Sequence, residues 1–407
     1  MVKKLFKIIK LIINSKLIFK LSKKNKLLIF DNSNLSELKK YLLKNNKFFV
    51  LENKYTEISK IYISPKIIFQ FILNLKFLLF KNIFIQDIYF FTLIEFLKPK
   101  LVFTFIDNNP QFSKLCLLNK NKKINFLALQ NGSRLEWKEH DLLFKKKFII
   151  KNPNLDYCIP NYLCFGEHEI KEARKYKIGI KNFMTVGSLR LSNFLKDFKL
   201  KKINIKRNKY DICLISDHGA WSNTHNRVNM SDVTFAETGM IKMIKFTINF
   251  CKAKKLKLIF CFKRHIGRPG YEEEQNWYQK NFSKEELNYI LKNSNQLTGM
   301  SGYKCSFESK ISVGTMSTLL RENIACGNKI LACNLTKEKI YNFPIKGICS
   351  INNCNYLSFE KRLINILKIK KINYFSKLSK DQNFLIHNNE PDKCFKAIKN
   401  KINQFLK

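Results

Sequence analysis

The chain of 407 residues is long enough for about two domains at roughly 150 residues each, and a hydrophobic fraction of 45% with 36 phenylalanines supports a sizeable core. A formal net charge of +44 would ordinarily point to nucleic acid or an anionic membrane, but the excess is lysine dispersed along the whole chain beside abundant Asn, Ile and Phe. These four share A/T-rich codons, so base composition accounts for the charge, and the absence of an aromatic-basic RNA motif, zinc finger or basic zipper argues against a nucleic-acid partner. The 12 cysteines show no CxxC pair and no paired spacing with histidine, which argues against zinc and fits free thiols in a reducing cytoplasm.

Residues 1–24 interleave apolar residues with lysines and predict a basic amphipathic helix, either packed on its own domain or lying at a membrane interface; no small-residue cleavage site follows. Residues 26–30 predict a short strand closed by Asp31-Asn32-Ser33, followed by a helix over 35–43 and a strand over 48–51. Helices are expected over 67–80, after Pro65, and over 88–97, before Pro99. Lys76, Lys81, Gln86 and Asp87 break this apolar region before the roughly 20 residues that a membrane span needs. The alternation argues for a parallel sheet with helices on both faces.

Residues 101–106 (LVFTFI) read as a buried strand ending in Asp107-Asn108-Asn109-Pro110, and residues 125–129 as another ending in Gln130-Asn131-Gly132-Ser133-Arg134. Polar clusters at the carboxyl ends of successive parallel strands lie at the mouth of a ligand crevice in open α/β sheets. The same residues also read as ordinary helix caps and an ordinary Asn-Gly turn. Residues 137–150 carry His140 and a KKK run and read as a surface loop. A strand over 157–165, a helix over 169–176 and a strand over 183–186 follow, the last ended by Gly187-Ser188-Leu189-Arg190. The charged, apolar-poor stretch 196–209 reads as a linker.

A second alternation begins with a buried strand over 211–216 that closes on Asp217-His218-Gly219. After a polar loop and a helix over 235–254, a strand over 256–262 ends in Lys263-Arg264-His265. Two cations and an imidazole there can neutralise and hydrogen-bond a diphosphate, although a solvated strand end is the plainer reading in so lysine-rich a chain. Residues 270–291, with Glu272, Glu273 and Glu274, read as a helical surface. The run 310–313 then ends at Gly314, and Thr315-Met316-Ser317-Thr318 opens a helix with Leu319, Leu320, Ile324 and Ala325 at helical spacing. Gly327 suits the position just past the helix end, and a strand over 329–333 completes a βαβ unit. First-turn N–H groups without intrahelical partners suit phosphate, and Glu322, one turn further in, can accept hydrogen bonds from ribose hydroxyls. A strand over 348–351, a helix over 359–367 and a basic helix over 391–405 end the chain.

The order Gly314, Thr315, Ser317, Thr318 and Glu322, followed by a small-residue helix end and a strand, resembles the donor-nucleotide segment of GT-B glycosyltransferases. With the strand ends FIDN, QNG and GSLR, nearly the whole chain resembles bacterial O-antigen, lipopolysaccharide or surface-carbohydrate biosynthesis proteins and, more distantly, polymerases that use CDP-glycerol. The resemblance implies an α/β fold of two Rossmann-like domains facing across a cleft. The acceptor domain would span 1–195, the linker 196–209 and the nucleotide-donor domain 210–390, with a terminal helix 391–407 packing back towards the first domain. It implies a cytoplasmic, metal-independent transferase without a DxD sequence, working at the inner face of the membrane. The enzyme would move a sugar or polyol phosphate from a nucleotide-activated donor to a lipid-linked or polysaccharide acceptor, with peripheral contact to anionic lipid and no cofactor beyond the donor. Lys263, Arg264, His265, Gly314, Thr315, Ser317 and Thr318 would hold the diphosphate with help from Arg190, and Glu322 the ribose. Asp107 would take the acceptor's proton, with His140 and His218 as substitutes. Asn108, Gln130, Asn131, Gly132, Gly187, Ser188, Arg190 and Asp217 would line the acceptor side or the cleft. A sugar-nucleotide epimerase of the same fold and a non-catalytic basic scaffold or nucleic-acid binder are the alternatives.

Overall fold

The computed structural model describes residues 16–19, 25–44, 47–51, 53–54, 57–58, 60–79, 83–119, 124–134, 158–217, 230–268, 270–294, 301–336, 339–387 and 389–407. The chain divides into two compact units, Met1–Asn193 with Glu390–Lys407, and Phe194–Asn389. The division falls inside the helix Leu189–Lys199, which runs through the first residues of the stretch expected as a linker.

In the first unit, β1 (Lys16–Ile18) is followed by β2 (Leu27–Ile29), β3 (Phe49–Val50), β4 (Asn53–Lys54), β5 (Glu57–Ile58) and β6 (Lys60–Tyr62). Then come β7 (Leu101–Thr104), β8 (Asn125–Leu129), β9 (Ile159–Cys164) and β10 (Ile180–Thr185). Six of them form one parallel sheet in the order β10-β9-β8-β7-β2-β3. Side chains alternate between the faces of a strand, and both faces here are apolar. Leu28, Val102, Phe126 and Tyr162 pack with Phe90, Phe91 and Phe112 from the helices Ile85–Leu97 and Pro110–Leu118. Leu27, Leu101, Phe103 and Leu127 pack on the other side with Leu38 and with Phe395, Ile398 and Ile402 of the terminal helix Pro391–Leu406. Two covered faces explain why β2 and β7 read as unbroken apolar runs rather than alternating ones.

One expectation is corrected in this unit. Within residues 1–24, read from their periodicity as a helix, Lys16–Ile18 is a strand in parallel register with β6, Leu17 opposite Ile61; residues 1–15 and 20–24 lie outside the described residues. Pairing with β6 outweighs the local helical period over these three residues.

The second unit holds β11 (Tyr210–Ile215), β12 (Leu258–Cys261), β13 (Ser309–Gly314), β14 (Lys329–Asn334) and β15 (Ser350–Asn352). All pair in parallel, in the order β12-β11-β13-β14-β15. Both units are therefore Rossmann-like, with helices joining successive parallel strands. Glycine has a specific task at the end of β13: a Cβ on Gly314 would lie 3.2 Å from Leu320 Cδ1 and 3.4 Å from the Ile215 carbonyl oxygen. Its absence lets β13 and the following helix close on β11. Gly327 adopts φ 73° just past that helix, the left-handed conformation that ends it.

Candidate functional site

Each sheet contains a reversal. In the second unit the chain moves outward from β11 to β12 and then returns to place β13 on the other side of β11; in the first unit it moves from β2 to β3 and returns to place β7 on the other side of β2. Such a switch point leaves a crevice outside the carboxyl ends of the two flanking strands, because their connections leave in opposite directions. The switch points therefore locate the candidate sites: the ends of β11 and β13, and the ends of β2 and β7.

At the first of these, Asp217 stands just past β11, buried, and faces the turn after β13. Its Oδ2 accepts a hydrogen bond from the Thr315 hydroxyl and another from the Met316 N–H at 3.0 Å, and its Oδ1 lies 3.9 Å from Lys263 Nζ. Ser317 is the N-cap of the helix Thr318–Ala325, its hydroxyl accepting from the Leu319 N–H. The strand end after β12 is held by Glu274, which has no exposed surface and accepts from Ser216 Oγ at 2.8 Å, from the Lys263 N–H at 2.9 Å and from the Arg264 N–H at 2.7 Å. Burial pushes its carboxyl up, with these donors working in the opposite direction. Tyr278 extends the network by donating to Ser216 Oγ at 2.8 Å.

Glu274 is a correction to the reading of 270–291 as surface: Glu272 and Glu273 are exposed while Glu274, on the helix Tyr271–Asn281, points inward. With the backbone anchored, Lys263, though largely exposed, brings its ammonium to Asp217, and Arg264 beside it is exposed. His265 accepts from Arg268 Nε at 3.1 Å, and burial, then Arg268 and Arg264, hold its pKa below the usual histidine range. Glu322 sits inside the helix after β13, 2% exposed, and accepts from the Tyr303 hydroxyl at 2.9 Å. His218 lies outside the described residues.

In the first unit the switch point holds Asp31, a residue that sequence reasoning used only to end a strand. It is 4% exposed, accepts from Thr104 Oγ1 at 2.9 Å and from the Ser33 N–H at 3.2 Å, and burial raises its pKa to about 6. Arg190 reaches the same strand ends, donating to Asn34 Oδ1 at 2.9 Å with its guanidinium 5.7 Å from the Phe105 ring. An aspartate just past the first strand, latched to a threonine near the end of the strand across the switch point, thus occurs in both units: Asp31 with Thr104, and Asp217 with Thr315. The repeated strand-then-Asp pattern was the signal available for Asp31.

Asp107, expected as the base, is enclosed by hydrogen-bond donors. It is 2% exposed, and four donors reach its two oxygens: the Asn131 N–H at 3.1 Å, the Tyr162 hydroxyl at 2.6 Å, Arg134 Nε at 2.6 Å and Arg134 NH2. A carboxylate offers about four lone-pair positions, so this one is saturated within its own unit. Gln130 latches the neighbouring turn, donating to the Gly132 carbonyl and accepting from the Phe165 N–H, each at 2.8 Å. Asn108 is half-buried beside Asn109, which caps the helix Pro110–Leu118. Gly187 takes φ 90° and Ser188 accepts from the Leu191 N–H at 3.2 Å, so both shape the start of the helix Leu189–Lys199. His140 lies outside the described residues. Among the described residues no three His, Cys, Asp or Glu side chains gather at metal-binding spacing.

Two Rossmann-like units in one chain, each with polar groups gathered at its switch point, agree with the GT-B-like fold that the resemblance implied. No protein-family model matches the sequence, and no curated protein matches it. Solved structures do match. The chain is similar to UDP-GlcNAc 2-epimerase from Methanocaldococcus jannaschii in complex with UDP-GlcNAc and UDP, with TM-score 0.53 and 11% identity over 93% of this chain and 99% of that one. It is similar to the UDP-GlcNAc 2-epimerase from Neisseria meningitidis bound to UDP-GlcNAc, with TM-score 0.50, 13% identity and the same coverages. It is also similar to the wall teichoic acid polymerase TagF, with TM-score 0.50 and 10% identity over 94% of this chain and 90% of that one. At such identities the likeness is one of fold.

Proposed function

We propose that the protein is an enzyme whose second unit binds a nucleotide-activated sugar, and that it transfers the sugar, or a polyol phosphate, to a surface-polysaccharide acceptor. The observation that carries this reading is the convergence of Asp217, Thr315, the Met316 N–H and the Lys263 side chain at the switch point of the second sheet, with the exposed Arg264 beside Lys263. Departure of a nucleoside diphosphate builds negative charge on the phosphates, which fixed cations and the N-terminal amides of a helix stabilise without reorganisation. Asp217 already occupies part of the turn's donor capacity. The diphosphate therefore belongs on the Lys263 and Arg264 side, with Ser317 and Thr318 at the helix start, and Glu322, oriented by Tyr303, is assigned to the ribose. For the acceptor's proton the reading moves from Asp107 to Asp31: a pKa of about 6 is close to the operating range of a general base, whereas the lone pairs of Asp107 are all engaged.

A second reading is supported by the comparisons, since two of the three structures above are UDP-GlcNAc 2-epimerases. One experiment tests both. Thermal shift with UDP, UDP-GlcNAc and CDP-glycerol examines the donor site, and each stabilising nucleotide sugar is then incubated alone with the enzyme and its products resolved by NMR. Stabilisation without isomerisation supports transfer, and an epimerised product selects the second reading. No shift with any nucleotide, together with retention of duplex DNA at near-physiological salt, overturns both in favour of a basic scaffold.

A further inference from the structure

The helix Pro65–Asn74 is built inside out. Its start is ordinary: Ser64 caps it by accepting from the Ile67 N–H at 3.3 Å, and Pro65 occupies the first turn. The side turned to the unit carries one core residue, Ile67, and two amides. Asn74, buried, donates to Thr92 Oγ1 at 3.0 Å and to Glu95 Oε2 at 2.7 Å, and Gln70 donates to the same Glu95 oxygen at 3.2 Å. The side turned to solvent carries Ile68, Phe69, Ile72 and Leu73, all exposed, and at spacings of one and four residues they share one helical face. The following 3-10 turn Leu75–Leu79 continues the surface, with Leu79 90% exposed. A water-facing helix has the reverse arrangement, because apolar area left in water costs free energy in proportion to its extent. Contiguous exposed apolar surface of this kind marks a contact site.

The apolar face and the lack of acidic residues along it together fit one partner. Residues 60–86 contain no aspartate or glutamate but include Lys60, Lys66, Lys76 and Lys81, and the side chains of Lys66 and Lys76 are exposed at the start of the helix and just past its end. An apolar face with exposed lysines at both ends, the carboxylates beside its inner side being engaged (Glu95 by Gln70 and Asn74, Asp87 by Lys114), matches a bilayer with anionic headgroups, where the rings and branched chains enter the acyl boundary and the lysines stay with the phosphates. We infer that this face docks the first unit on an anionic membrane surface. Among the described residues no helix is long and apolar enough to cross a membrane, so the attachment is peripheral. The inference does not rest on the nucleotide reading, because it concerns neither switch point.

Cosedimentation of the full chain with vesicles tests it, using phosphatidylglycerol mixed with phosphatidylcholine against phosphatidylcholine alone. Binding is expected to the anionic vesicles and to weaken with salt. The combined substitution Phe69→Ser, Ile72→Ser and Leu79→Ser should weaken it at least about 100-fold, since each removes a large side chain from the acyl boundary. All three side chains are exposed, so circular dichroism should be unchanged. Lys66→Gln with Lys76→Gln should weaken binding at low salt and converge with wild type at high salt. Wild-type protein that stays in the supernatant with anionic vesicles, or a triple variant that sediments like wild type, overturns the proposal. So does light scattering that shows a wild-type dimer dissociated by the triple substitution while vesicle binding is unchanged, which would assign the face to self-association. The nucleotide-induced thermal shift is read separately, so failure of either proposal leaves the other standing.

Discussion

Replacing Glu274 by alanine removes the acceptor of three hydrogen bonds, from Ser216 Oγ, the Lys263 N–H and the Arg264 N–H. Bonds to a charged acceptor are worth about 1.5–3 kcal/mol each, so their sum sets an upper limit of roughly 5–9 kcal/mol. Against it stands the desolvation of a carboxylate with no exposed surface, which is the largest influence on this group and drives its pKa upward. The opposing contributions leave an expected loss of about 3–5 kcal/mol for Glu274→Ala, because two backbone donors then lose their acceptor. Glu274→Gln keeps one acceptor oxygen and the volume, and should cost about 1–2 kcal/mol. Urea unfolding measures both, and isothermal titration with UDP measures whether the loop still presents Lys263 and Arg264; affinity should fall more in the alanine variant. The pH dependence has a definite sign. A carboxyl whose folded pKa lies above its unfolded value contributes stability that is fully present below the unfolded value and is lost as pH rises through the folded one. Wild type should therefore lose stability relative to Glu274→Gln as pH rises through that range. An alanine variant within about 0.5 kcal/mol of wild type, binding UDP equally, would refute the assignment of Glu274 as the anchor of this strand end.

Three further outcomes are expected. Arg134→Ala strands the buried Asp107 carboxylate and should cost about 3–5 kcal/mol in urea unfolding, whereas Asp107→Leu with Arg134→Met should recover most of it; equal stability of Arg134→Ala and wild type would show that the pair anchors nothing. For Asp31, displacement from 3.8 to about 6 corresponds to about 3 kcal/mol that is present below pH ~4 and lost as pH rises through ~6. Asp31→Asn should abolish that slope and, if Asp31 is the base, lower turnover about 10²–10⁴-fold; an unchanged stability profile would remove Asp31 from consideration. Glu322→Ala should weaken nucleotide binding by about 1–3 kcal/mol, with a smaller effect from Tyr303→Phe, and unaltered affinity in a calorimetric titration would place the ribose elsewhere.

The order of elements was legible from the residues because local signals agree with the final fold. The apolar runs of β7 and β8, the proline at the start of the helix Pro110–Leu118 and Gly327 past the end of its helix each satisfy a local backbone or burial requirement that needs no distant partner. The same kind of signal misassigned Lys16–Ile18, whose strand exists only because β6 lies beside it. Strand order was not legible. Nothing local to β11 states that β12 and β13 flank it on opposite sides, yet that order makes its end a switch point.

Sequence alone determined the α/β class, the polar strand ends and the low acidic content around the helix Pro65–Asn74, because these follow from composition and short-range periodicity. Tertiary structure decided which of those polar groups meet. Asp217 and Thr315 are 98 positions apart in the chain and share a hydrogen bond, Asp107 spends its charge on Arg134 rather than remaining open as a base, and Glu274 turns inward from a helix whose neighbouring glutamates face water. Burial and hydrogen-bond satisfaction belong to the folded surroundings of a residue, so they emerge only when distant strands and helices are brought together.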